Sequence, residues 1–395
     1  MKIISDVVVY IIMFFAVWGC LASIFKPESE MGNQFLEGIN AIGSIFLPVA
    51  GIMASLPILI SLITNFISPV FAFFGADPAI AATTFLAVDM GGYQLAESLA
   101  VTKESWIMAT TVGYMAGATI VFSIPVALKT VKEKYHRQMS LGIMIGFITI
   151  PVGVLVSNII IALMSPSVRA LSSTSAAAQT VILNMTFQTI FLNLIPLLII
   201  CFLMAFGLWK KPDMMIAGFK GFGRFMDAFT KIVFTLVVVE YFTGIFSTLF
   251  GVWPFEPIIA DEADINRALE VAGYIGIMLC GAFPMVYFMQ TRLEKPLERL
   301  GNKVGLSSKV VTGILAAAAN VIALFSMIDD SFEDHEIIAV IAFSVCGAFV
   351  IGDHLAFTAN FQPNLIVPVM IGKLTAGIVA VTIALKVFKP KKSLN

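Results

Sequence analysis

Long stretches that are apolar all round dominate this chain, and polar residues collect in the short segments between them. The stretches fall at 7–25, 39–74, 78–100, 106–128, 139–164, 180–208, 230–252, 268–290, 310–328, 336–358 and 364–388. Most approach the ~20 residues that a helix needs to cross about 30 Å of hydrocarbon. The pattern therefore predicts about eleven crossings, in a range of about ten to twelve. Membrane barrels alternate apolar and polar positions over about ten residues, which these runs do not. The second stretch carries Pro48, Pro57 and Pro69 and predicts a kinked helix, or a helix followed by a re-entrant piece. No Ala-x-Ala site closes the first run before Pro27, so it reads as a membrane helix rather than a signal peptide.

Composition agrees. The chain of 395 residues is 59% hydrophobic and 12% charged, with a mean hydropathy of +0.96. Ordinary soluble domains are about 45 to 50% apolar and about 25% charged. The expected fold is an all-α polytopic membrane protein seated in a lipid bilayer. Cys20, Cys201, Cys280 and Cys346 stand singly inside apolar runs, as small core residues do, and neither a disulfide nor a metal site is expected. No phosphate loop, zincin helix or nucleophile elbow occurs, so no catalytic residue, cofactor or nucleic-acid partner is expected. A homo-oligomer is compatible with a carrier of this size.

Basic residues gather in three connections: Lys129, Lys132, Lys134 and Arg137; Lys210, Lys211, Lys220 and Arg224; then Arg292, Lys295, Arg299, Lys303 and Lys309. These are expected on the cytoplasmic side, with the N-terminus inside. The acidic connections "PFEPIIADEADIN" (254–266) and "DDSFEDHE" (329–336) are expected outside. Eleven full crossings would leave Lys389, Lys391 and Lys392 outside, against the same rule. A broken or re-entrant segment repairs the parity, and "VIGDHLAF" (350–357) is the best placed for it, because irregular backbone at membrane depth occurs where it lines a cavity or is buried in protein.

An offset of 230 positions aligns Gly75 with Gly305, Ala87 with Ala317 and Gly117-Ala118 with Gly347-Ala348, while "MIGFIT" (144–149) resembles "MIGKLT" (370–375). A weak two-fold repeat is expected, dividing the chain into membrane halves 1–209 and 210–395 of one transport domain.

The chemistry centres on carboxylates at depth. Asp77-Pro78 reads as a helix start, from which Asp89 lies about 16 Å along the helix, near mid-membrane. On one continuous helix Asp89, Tyr93 and Glu97 would share a stripe, and Gly91-Gly92 would either unwind it or admit a close neighbour. A buried unpaired carboxylate costs several kcal/mol, and a cation removes that cost. Lys231 and Lys373, near the edges of their runs, are almost the only basic residues within them. A cationic substrate is then the economical partner; the blander alternative is a structural, protonated Asp89. In the second half Asp353-His354 follows Gly352, and Asn320 follows four alanines. That amide suits either substrate binding or a bond between helices. Tyr93, Gln94 and Asn320 could bond a hydroxyl or offer an aromatic face.

The stretches "DMGG" with the following "LAESL", "TIVFSIPVAL", "NLIPLL", "GAFPM", "EKPL", "AANVIALF", "GDHLAF" and "GKLTAG", in this order along nearly the whole chain, resemble the bacterial ethanolamine utilization transporter family. The resemblance implies an inner-membrane permease for ethanolamine. Its acidic-glycine motif falls on Asp89, Gly91 and Gly92, and its second acidic motif on Gly352, Asp353 and His354. At Val321 and Ala323 the chain departs from the pattern, where the resemblance implies a second asparagine and a proline, so no role resting on that pair carries over. Two other readings are an intramembrane aspartyl enzyme and a cation channel. The enzyme fits poorly, since Val350 stands where a Gly-x-Gly-Asp motif needs glycine and Asp89 follows Val88 rather than tyrosine.

Overall fold

The computed structural model describes residues 2–172, 178–258, 267–303 and 306–388. The acidic residues 259–266, Gly305, Lys389, Lys391 and Lys392 lie outside the described residues. Among the described residues the fold is α-helical apart from one antiparallel pair, β1 (Ser167–Arg169) with β2 (Thr180–Ile182). Eight helices are long and apolar enough to cross a membrane. With the family evidence given below, this is an all-α, multi-pass membrane protein.

The chain opens with α1 (Lys2–Phe25) and α2 (Glu30–Ala54). Ser29 caps α2, its hydroxyl accepting from Gly32 N at 3.2 Å. The long apolar stretch 39–74 is not one kinked helix: it divides at Ser55, and α3 (Leu56–Phe73) follows. Next come two short helices, α4 (Pro78–Phe85) and α5 (Gly92–Leu99), then α6 (Lys103–Thr130) and α7 (His136–Met164). Beyond the β hairpin lie α8 (Phe187–Lys210), α9 (Pro212–Thr243), the short α10 (Ile245–Phe250) and α11 (Ala268–Lys303). A second short pair, α12 (Ser308–Ala319) and α13 (Val321–Met327), precedes α14 (Asp334–Gly347), α15 (Asp353–Phe361) and α16 (Ile366–Val387).

The short pairs do not read as single crossings. Eight residues of helix rise about 12 Å, less than half the hydrocarbon. The base of the α4–α5 pair closes on itself, because Asp77 caps α4 through Ala79 N at 2.9 Å and its other oxygen accepts from Val101 N at 2.9 Å. In the α12–α13 pair, Lys309 near the entry donates to Ser331 O near the exit, and its ammonium stands over the Phe332 ring. Each pair thus folds back on itself as a helical hairpin. The segment around "VIGDHLAF" is broken, as expected, between α14 and α15.

Hydrogen bonds gather the connections into two ends. At one end, Lys134 bonds Asp330, Tyr135 Oη donates to Asp330 at 2.6 Å, and Gln138 donates to Asp334 at 2.8 Å. Lys134 and Tyr135 hold the Asp330 carboxyl below the usual carboxylate range. This corrects the expectation that "DDSFEDHE" faces away from the basic connections, since it meets one of them. At the other end, Asn193 accepts from Asp77 N at 2.7 Å, Glu104 accepts from Asn184 N at 3.1 Å, and Asn364 donates to Ser167 O at 2.7 Å.

Helix α7 runs through the middle, packed on α14 and α16. Close contact depends on small residues: a Cβ added to Gly146 would lie 2.2 Å from Val345, and one on Gly372 would lie 1.9 Å from Ser157.

Candidate functional site

Two interruptions in helical backbone build the site. The first is the tip of the α4–α5 hairpin. Leu86 and Ala87 are extended, and Val88–Met90 make a single 3₁₀ turn that carries Asp89. Gly91 then adopts φ +90° before α5 begins. Met90 N and Gly92 N both donate to Ala87 O, at 3.2 and 3.0 Å, which satisfies the turn internally. A Cβ on Gly91 would lie 2.7 Å from Ile52 of α2, so glycine is required by conformation and by contact. The double glycine therefore unwinds the helix, and Asp89, Tyr93 and Glu97 do not form one stripe.

The second interruption lies between α14 and α15. Phe349 N and Ile351 N donate to Ala317 O and Ala318 O, at 3.0 and 2.9 Å. These are last-turn carbonyls of α12, which lack partners in their own helix. Gly352 passes so close that an added Cβ would stand 2.1 Å from Ala319 O. Phe349 takes a left-handed φ of 59°, a strain of the kind that collects at functional sites. Asp353 follows in the first turn of α15, where the helix dipole favours a carboxylate.

Both interruptions face one cavity of about 540 Å³. Asp89, Asn320, Asp353 and His354 line it, along with Phe122, Phe283 and Phe349. One carboxyl oxygen of Asp89 and Nδ1 of His354 are buried with no hydrogen-bond partner. Unsatisfied buried groups of this kind cost free energy unless a ligand or water meets them. Asp89 and Asp353 lie within electrostatic reach of one another. The His354 ring sits between Tyr114 and Phe349, at 5.0 and 5.2 Å. Asn320 caps α13, accepting from Ile322 N at 2.8 Å through its carbonyl oxygen, so its amide nitrogen is not used by the cap.

The other expected site residues sit elsewhere. Gly91 and Gly92 shape the tip without lining the cavity. The Tyr93 hydroxyl accepts from Gln362 at 2.8 Å, and its ring packs against Trp106, Phe357 and Phe361. Gln94 is buried outside the cavity wall, its amide without a partner. Glu97 accepts from Ser172 N at 3.0 Å and pairs with Lys103 at 3.8 Å. Lys231 is exposed and paired with Asp227. Lys373, by contrast, is not at an edge: it is fully buried and donates to Tyr114 O at 2.8 Å.

A family model described as "Ethanolamine utilisation protein, EutH" matches residues 4–387. The chain belongs to this family. It is 35% identical over 383 residues to the "Probable ethanolamine permease EutH" of Listeria monocytogenes, covering 97% of this chain and 94% of that protein. With the Salmonella typhimurium protein of the same name it shares 34% over 399 residues, covering 97% and 95% of the two chains. A Bacillus subtilis relative, "Uncharacterized protein YxeR", is 31% identical over 385 residues, covering 96% and 94%. No solved structure matches the chain. The Listeria and Salmonella relatives carry the name of a permease, not of an enzyme.

In this EutH-family chain the sequence reasoning missed one wall of the cavity. Glu37, Asn40 and Ser44 of α2 line it. They stand at i, i+3 and i+7 in "EGINAIGS", which puts them on one helix face in an otherwise apolar run. That spacing was the available signal.

Proposed function

We propose that this EutH-family chain carries protonated ethanolamine across the bacterial cytoplasmic membrane, binding it in the cavity between the two helix interruptions. One observation carries the reading: Asp89 and Asp353, from opposite halves of the chain, face one cavity, and among the described residues no cationic side chain lies within ion-pair distance of either. An ammonium group would sit between them, with phenylalanine faces adding cation–π attraction. Asn40, Ser44 and Asn320 are suited to the hydroxyl, and His354 offers a further polar atom. The relatives' names support the same substrate. In proteoliposomes, labelled ethanolamine uptake is expected to saturate, to be competed by propylamine less well than by unlabelled ethanolamine, and to ignore ethylene glycol, which lacks the ammonium. Uptake that never saturates would favour a channel, and no uptake would sink the reading.

The same reading includes a membrane topology. The proposal is ten crossings, by α1, α2, α3, α6, α7, α8, α9, α11, the broken α14–α15 and α16, with the two hairpins entering from opposite sides. Ten is even, so Lys2 and Phe388 share a side, and the basic connections all fall on it. Two inverted repeats follow. Pro78 and Ser308, Glu133 and Pro363, and His136 and Ile366 each begin elements 230 positions apart, and Lys103 and Asp334 begin elements 231 apart. Each repeat would be a hairpin followed by two crossings, the first within half 1–209 and the second within half 210–395, with the substrate site where the interruptions meet. In a cysteine-free background, Ser331→Cys is expected to react with an impermeant maleimide from the cytoplasmic side alone, and Ser172→Cys from the outer side alone. Labelling of both from one side would reject the topology.

A further inference from the structure

Lys373 has no part in the reading so far, and its position is costly. It lies on α16 with its side chain fully buried, and its ammonium donates to the Tyr114 carbonyl at 2.8 Å. Around that carbonyl α6 widens into the π-helical turns Gly113–Gly117 and Thr119–Ser123. Such turns loosen the usual bonding ladder and cluster at functional sites. Tyr114 of α6 contacts Lys373 through its carbonyl, and Asp89 of the hairpin tip, Cys346 of α14 and His354 of α15 lie within electrostatic reach of it. Of these, the carboxylate is Asp89. A carbonyl solvates an ammonium but does not neutralise it, so the balancing charge for Lys373 is the carboxylate that also faces the cavity.

We propose that Lys373 is the resident cation of the empty site, and that a substrate ammonium binds Asp89 in exchange for a proton of Lys373. This rests on the ethanolamine-binding reading above. Asp89 and Asp353 repel one another across one cavity, so in this step the pair shares one proton and offers one negative charge; two ammonium groups drawing on it would leave a net charge at depth, and the lysine can shed its own while an incoming protonated amine keeps its. In the step, the Nζ–H bond breaks, the electron pair stays on nitrogen, and the proton passes to water in the cavity. Lysine is left as a neutral amine still held near Tyr114. On release of substrate at the other side Lys373 takes a proton from that side, so each ammonium carried one way returns one proton the other way. Transport is then electrically silent.

The test is calorimetry of ethanolamine binding to the purified full chain at pH 7, in two buffers of different ionisation enthalpy, which counts the protons released. The expected count is about one per ethanolamine bound. Three variants sharpen it, with thermal unfolding as a check on folding. Lys373→Met removes the competing cation and is expected to bind ethanolamine at least as tightly as the wild type. Lys373→Arg keeps a charge that does not titrate away, and is expected to bind at least tenfold more weakly. A merely structural cation predicts the reverse order, because arginine would then be the conservative replacement. Binding with no proton release in the wild type, or arginine binding better than methionine, overturns the exchange while leaving the ethanolamine site standing. Loss of proton release in His354→Gln, with Lys373→Met still releasing, would move the proton to His354 and also overturn it. If the wild type does not bind ethanolamine at all, the underlying reading fails.

Discussion

Asp89→Asn is expected to weaken ethanolamine binding by two to three orders of magnitude while leaving the fold intact. The reasoning runs from the hairpin tip. Asp89 stands on one 3₁₀ turn whose backbone bonds go to Ala87 O, so the carboxylate does not hold the turn together. One of its oxygens is buried without a partner. Asparagine has nearly the same shape, fits the same turn and removes the charge. Breaking a buried charge pair by removing one partner costs about 3 to 5 kcal/mol, and each ~1.4 kcal/mol is tenfold in affinity. Asp353→Asn is expected to weaken binding in the same direction. Calorimetry on the two variants and the wild type, with unfolding midpoints measured alongside, is the check. Wild-type affinity in Asp89→Asn, with a normal midpoint, would remove the carboxylate from the substrate site.

Some of this site was legible in the sequence, and the limits have physical causes. Asp77-Pro78 marked a helix start, and Gly91-Gly92 marked a break, because both signals are local. The hairpin was not legible, since two half-helices in series have the length and hydropathy of one crossing over 78–100. The bond from Val101 N back to Asp77 distinguishes them, and that is a tertiary fact. The acidic stretch 329–336 was assigned to the wrong end for a related reason. Orientation follows lysine and arginine, while aspartate and glutamate contribute little to it. Lys373 read as an edge residue because a long side chain near a helix end ordinarily reaches for the interface. Its burial comes from α6, α14 and α7 closing around α16. Glu37 and Asn40 look like ordinary interfacial residues until the cavity is seen behind them.

Gly117→Ala is expected to destabilise the protein by about 3 kcal/mol, and this tests whether the first hairpin is docked as described. Gly117 lies in α6 against the end of α4. A Cβ there would stand 2.1 Å from Leu86 O, 2.5 Å from Leu86 C and 2.6 Å from Thr83 O. All three are backbone atoms, so no side chain can swing away, and α6 and the hairpin must separate. Alanine is intrinsically a better helix former than glycine, by about 1 kcal/mol. The contact opposes that gain and outweighs it, which fixes the sign. Gly43→Ala in α2 is the matched control, because nothing lies within 4 Å of the added methyl and the helix gain acts alone. Unfolding midpoints in detergent, compared at one scan rate, should fall by several degrees for Gly117→Ala and hold or rise for Gly43→Ala. Ethanolamine affinity should fall with the first and not the second, since displacing Leu86 moves the turn that carries Asp89. A Gly117→Ala protein as stable as the wild type would mean that the hairpin does not pack on α6 at this register, and the position of Asp89 in the cavity would fall with it.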